Sequence, residues 1–158
     1  MKCWGWKMKK YDMTVLTKTF CRVLEQTAFM FAEETAKNRC SLLDNSFFCS
    51  TISFKGPSEG NITLCVPESI SSEIAANTLG TESGQNTSQQ MLEDTVKELT
   101  NILCGQFITE VEGTVPVFSF SPPVIKKLQR EDWKTFLLSP NSTSVKIDET
   151  PLILNLEM

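Results

Sequence analysis

Between Asp94 and Gly105 the chain reads DTVKELTNILCG. Two carboxylates, an amide and a glycine recur here at spacings of four, three and four. Turned at about 100° per residue, Asp94, Glu98, Asn101 and Gly105 fall within about 60° of one another on a helix. Leu92, Val96, Leu99 and Leu103 fall together on the opposite side. A carboxylate at Glu98 can pair with an ammonium group. An amide at Asn101, adjacent at i+3, can accept from and donate to one water at the same time. That combination suits the positioning of a water rather than nucleophilic attack. Amide-positioned water is a device of phosphoryl hydrolysis, where catalysis is mostly placement and electrostatics.

Gly105 sharpens the reading. A glycine inside a helix costs about 1 kcal/mol relative to alanine. A solvated face has no use for it. Either another part of the chain packs there, or a partner's backbone must come close.

The 158 residues contain no histidine. Ser-His and Cys-His pairs and imidazole metal sites are thereby excluded. The six cysteines, Cys3, Cys21, Cys40, Cys49, Cys65 and Cys104, make no CxxC pair. No apolar segment follows the basic start, so no secretory signal is read and the expected compartment is the reducing cytoplasm. The Asn61, Asn86 and Asn141 triplets are then chance glycosylation matches. A net charge of −4 speaks against general nucleic-acid binding. No apolar run reaches about 18 residues, so no membrane span is expected.

Several elements must hold the ridge. Residues 1–12, MKCWGWKMKKYD, read as a basic and aromatic tail, or as an upstream extension if Met13 is the start. The single domain then covers 13–158. Met13 to Lys37 has a helical period through Leu16, Phe20, Val23, Thr27 and Phe31. Phe48 to Phe54 and Ile62 to Val66 alternate around KGPSEG, which predicts a hairpin. Pro67 opens a short helix that Gly80 stops, and Thr81 to Asn86 reads as a loop. Thr87 and Gln90 offer a capping box for the long helix, which runs to about Val111, roughly 37 Å, and stops at Gly113. VPVFSF reads as a strand, as do Lys134–Leu138 and Leu152–Leu156, with Val145 and Ile147 as a third candidate. The order predicts an α+β fold, with helices on a mostly antiparallel sheet.

Taken together, DTVKELTNILCG resembles the signature of the CheC/CheX/FliY family of phosphatases, which act on phosphorylated CheY. The family pattern is Asp or Ser, three residues, Glu, two residues, Asn, and a proline a little over twenty residues on. Asp94, Glu98 and Asn101 match its first part. Twenty residues separate Asn101 from Pro122 and twenty-one separate it from Pro123, about one short of the pattern. Pro123 is the better match. FKGPSEGNITLCVPESISSEIAANTLG is similar to the family's hairpin and next helix, with Gly56 and Gly60 at its glycines. VFSFSPPVI is similar to the strand and proline that follow the long helix. Members with two sites carry a second Glu-x-x-Asn in the first helix. Here Glu25 is followed three on by Ala28, and neither Glu33 nor Glu34 has such an Asn, so the likeness is to CheX.

The resemblance implies a CheC-like fold and a CheX-like homodimer. It also implies catalysis in trans on a CheY-type receiver domain in chemotaxis. Glu98 would pair with the partner's active-site lysine, and Asn101 would orient the attacking water. Asp94, Gly105 and Pro123 would contact the partner. Mg²⁺ would be held by the receiver, with no cofactor or metal on this chain. A non-catalytic adaptor for a receiver domain or flagellar switch protein is the alternative. A cysteine redox or metal protein and a membrane-binding tail have weaker support in the residues.

Overall fold

The computed structural model of the chain describes residues 11–80 and 87–158. Helix α1 (Met13–Ala28) is followed by strand β1 (Ala32–Glu34) and a 3₁₀ turn (Lys37–Arg39). The hairpin β2 (Ser46–Lys55) and β3 (Glu59–Pro67) leads into α2 (Glu68–Leu79) and then α3 (Gln89–Glu112). The chain closes with β4 (Ser119–Phe120), β5 (Val124–Gln129), a 3₁₀ turn (Arg130–Asp132), α4 (Trp133–Leu137), β6 (Ser142–Ile147) and β7 (Thr150–Glu157). The strands form one sheet in the order β1-β6-β7-β3-β2. The outer edge of β2 is shared by β4, opposite Phe54 and Lys55, and β5, opposite Ser46 to Thr51. Every described pairing is antiparallel. The fold is α+β.

Alternation along the strands sorts the side chains into two cores. Phe48, Ile52 and Phe54 of β2, Ile62, Leu64 and Val66 of β3, and Leu152, Leu154 and Leu156 of β7 face the helix layer. There they meet Leu16, Phe20 and Val23 of α1 and the apolar stripe of α3. On the other face, Phe47, Cys49, Cys65 and Ile153 pack under Trp133 of α4. Burial of each large apolar side chain contributes about 1.5–3 kcal/mol, so the helix-side core dominates.

Several expectations are corrected. Helix α1 ends at Ala28, not near Lys37. Phe29 takes a left-handed conformation, φ 55°, and no glycine marks the stop. Such a φ costs roughly 1–2 kcal/mol, offset by the burial of Met30 and the pairing of β1 with β6. Phe31 is consequently 75 % exposed rather than part of the helical face. The cap of α3 is Ser88, whose side chain accepts from Met91 N–H at 3.2 Å, one residue later than the Thr87 box. Only Ser119 and Phe120 of VPVFSF form a strand. Lys134 to Leu137 are helical and Leu138 is the C-cap, following an Arg130–Asp132 turn that carries a capping box between Gln129 and Asp132. That turn aims Trp133 and Phe136 edge-on at Phe47. The expected Thr81–Asn86 loop lies outside the described residues.

Two described residues ahead of Met13 make contacts with the rest of the fold. Tyr11 is buried, with its ring stacked on Phe54 at 6.0 Å between centroids and edge-on to Phe107. Its hydroxyl donates to Glu112 Oε1 at 2.7 Å. Asp12 caps α1 by accepting from Thr14 N–H at 2.9 Å. A chain begun at Met13 loses both. It is expected to be less stable by about 3 kcal/mol or more, read as a lower urea midpoint followed by circular dichroism, with Tyr11→Ala accounting for most of the loss.

Candidate functional site

Helix α3 is held by one face. Leu92, Val96, Leu99, Leu103, Cys104 and Phe107 are buried, and the helix packs on α1, α2, β2 and β3. That spacing leaves Asp94, Glu98 and Asn101 exposed on the outer face, with Gly105 half-buried beyond them. The first four expected site residues therefore share one surface.

Their surroundings differ. Asp94 Oδ1 accepts from Gln90 Nε2 at 2.9 Å and lies 3.7 Å from Lys97 Nζ. Its charge is partly answered within its own helix, at an exposed pair worth about 0–1 kcal/mol. Among the described residues, no hydrogen bond or ion pair engages the side chain of Glu98 or Asn101. Both present their full hydrogen-bonding capacity outward.

Gly105 has no internal reason to be glycine. A Cβ built there meets nothing within 4 Å, so no part of the described chain packs against it. Its carbonyl accepts from Thr109 Oγ1 at 2.9 Å. It borders a shallow depression of about 380 Å³ whose other walls include Ile108, Thr109, Pro116, Val117 and Phe120. Val117 is 87 % exposed. These apolar neighbours were not anticipated as site residues. For Pro116, Val117 and Phe120 the sequence signal is the VPVFSF run, which reads as a strand. Cys104, next to Gly105 in the chain, points into the core, and burial pushes its thiol up to about 12. It takes no part in the outer face.

Pro123 lies on a different element, the link between β4 and β5. β5 pairs Ile125 with Ser50 and Lys127 with Phe48, and Ile125 packs on the helix-side core. Pro123 immediately precedes β5, and α3 also packs against β5. Among the described residues, no group of three or more acidic or thiol side chains is placed to hold a metal ion, and no helix is long and apolar enough to cross a membrane.

A family model described as chemotaxis phosphatase CheX matches residues 48–134, from β2 into α4. The matched stretch includes the whole of α3. A comparison with curated proteins finds no match. Among solved structures, the chemotaxis protein CheX of Vibrio vulnificus superimposes with a TM-score of 0.69 at 14 % identity, over 91 % of this chain and 93 % of that one. A CheC-like superfamily protein of Shewanella sp. PV-4 gives 0.64 at 15 % identity, over 94 % and 96 %. The CheX–CheY–BeF₃–Mg²⁺ complex of Borrelia burgdorferi gives 0.65 at 16 % identity, over 92 % and 96 %. At these identities the likeness is one of fold.

The open space over Gly105 has a measurable consequence. Gly105→Ala is expected to stabilise the isolated chain by roughly 0.5–1 kcal/mol, because the helix gains and nothing clashes. A rise in the urea midpoint with an unchanged slope is the expected reading. A loss of stability would mean that the position is occupied within the chain after all.

Proposed function

The chain belongs to the chemotaxis phosphatase CheX family, and on that premise we propose that it hydrolyses the aspartyl phosphate of a CheY-type receiver domain. The observation that carries this reading is the free Glu98 and Asn101 pair, one helical turn apart on the exposed face of α3. Side chains that only solvate a helix need not come in this combination beside an uncovered glycine. The Borrelia structure, a CheX bound to a CheY carrying beryllium fluoride and magnesium, supports a receiver as the partner class.

In this reading α3 docks over the receiver's phosphorylation site. Glu98 pairs with a receiver lysine and fixes the register of the helix. The Asn101 side-chain oxygen accepts a hydrogen bond from a water and aims the water's lone pair at phosphorus. The P–O bond to the aspartyl oxygen breaks in line, the receiver carboxylate leaves, and inorganic phosphate is released. A loose transition state needs little help from a base, so the missing histidine is no obstacle. Mg²⁺, held by the receiver, neutralises phosphoryl charge. Gly105 lets partner backbone approach the helix, and Asp94 exchanges its Gln90 and Lys97 contacts for contacts with the partner. Pro123 and the apolar rim at Val117 extend the docking surface.

The test is phosphate loss from phosphorylated CheY-type receivers of the same genome, with and without this chain. The wild type is expected to exceed the receiver's own rate. Asn101→Ala is expected to lower the accelerated rate by roughly tenfold to a hundredfold while binding persists. Glu98→Ala is expected to weaken binding and rate together. Binding without acceleration would leave an adaptor. Full activity in Asn101→Ala would move the water-positioning role elsewhere.

A further inference from the structure

The hairpin carries a second feature on the face of the sheet turned away from α3. Cys49 of β2 and Cys65 of β3 stand directly opposite each other in the antiparallel register. Neighbouring rungs define the kind of pair. Ser53 accepts on its carbonyl from Ser121 N–H at 2.9 Å and donates its own N–H to Ser121 Oγ at 3.0 Å. Its backbone groups therefore point away from β3. Backbone direction alternates along a strand, so Thr51, Cys49 and Phe47 share this orientation. Pro67, opposite Phe47, has no N–H to offer and fits there.

Cys49 and Cys65 are thus a non-hydrogen-bonded pair. In such pairs the Cα atoms lie about 4.5 Å apart and the side chains come closest. The next rungs of the same row show that closeness: Thr51 and Thr63 hydroxyls are 2.9 Å apart, and Ser53 Oγ donates to Asn61 Oδ1 at 2.6 Å. A disulfide spans Cα separations of roughly 4.4–6.8 Å, so the register places the pair within a disulfide's reach.

The surroundings favour reaction at one of the two. Leu42, Phe47, Trp133 and Ile153 enclose the pair; Cys65 is fully buried, while Cys49 keeps 7 % of its surface open. Lys126 of β5 stands opposite Cys49 on its other side. A hydrogen bond from the Cys65 thiol, joined by the Lys126 charge, holds the Cys49 thiol below its ordinary value against the effect of burial. Burial pushes Cys65 well up. Cys21 is raised by burial and by Glu34, and Cys40 Sγ is engaged with the carbonyl of Ala36 at 3.4 Å.

We propose that Cys49 and Cys65 are a peroxide-reactive dithiol that closes to a reversible cross-strand disulfide. The Cys49 thiolate attacks one oxygen of hydrogen peroxide. The O–O bond breaks, Cys49 becomes a sulfenic acid, and hydroxide leaves. Cys65 then loses its proton, and its sulfur attacks the Cys49 sulfur and displaces a second hydroxide. The dithiol gives up two electrons, and one peroxide becomes two waters. The inference rests on the β2–β3 register and is independent of the phosphatase reading.

Peptide mapping of the intact chain tests it. The reduced protein is treated natively with a few-fold molar excess of hydrogen peroxide, and remaining thiols are alkylated in denaturant. Tandem mass spectrometry then locates every cysteine. The expected result is a mass lower by two hydrogen atoms, one Cys49–Cys65 linkage that dithiothreitol removes, and Cys3, Cys21, Cys40 and Cys104 alkylated. The proposal is overturned if Cys49 and Cys65 both stay alkylatable, if Cys49 accumulates as sulfinic acid without linking, or if either pairs with another cysteine.

Discussion

The packing of α3 onto the β2–β3 hairpin is the constraint on which the rest depends. Val96, Leu103 and Phe107 are fully buried against that surface, and each contributes on the order of 1.5–3 kcal/mol. A rotation of the helix by half a turn, about 180°, would expose this stripe and bury Asp94 and Glu98. No exposed contact on the outer face approaches that energy. The core therefore decides where Glu98 and Asn101 point. The outer face itself contributes almost nothing to stability, and its residues are free to serve a partner.

Gly105 marks the same division from the other side. Its helix penalty of about 1 kcal/mol is not repaid by any contact within the described chain. The glycines of the hairpin differ. A Cβ at Gly56 would lie 2.7 Å from the Phe118 ring, and one at Gly60 would lie 2.4 Å from the Glu157 carbonyl. Those two are required for the chain to pack on itself. Gly105 alone among the three leaves its space open, beside an apolar depression on the α3 face. The position is costly to the isolated chain and makes sense against a second surface.

What could be read in advance depended on locality. The faces of α3 and the hairpin follow from period and from KGPSEG, both local signals. The relation of Glu98 to Asn101 is legible for the same reason. The end of α1 was not, because Phe29 adopts a positive φ without a glycine or proline to announce it. WKTFL is short and apolar enough to suit strand or helix; the distant ring of Phe47 and the preceding turn decide for helix. The depression beside Gly105 is built where Gly113–Phe120 folds back along α3, and Phe118 is seated over Gly56. No single stretch of sequence contains it. Tyr11 sits beside a basic, aperiodic stretch, and its burial depends on Phe54, Phe107 and Glu112, all remote in sequence.

In the proposed function the partner is a receiver domain, and the proposal turns on one atom group, the Asn101 amide. A structure of this chain with its receiver held in the beryllium fluoride and magnesium form tests it most directly. The account predicts a water within hydrogen-bonding distance of the Asn101 side chain, in line with the beryllium and the aspartyl oxygen, with Glu98 paired to a receiver lysine. An interface in which Asn101 faces bulk solvent, or in which α3 makes no contact with the phosphorylation site, would contradict it.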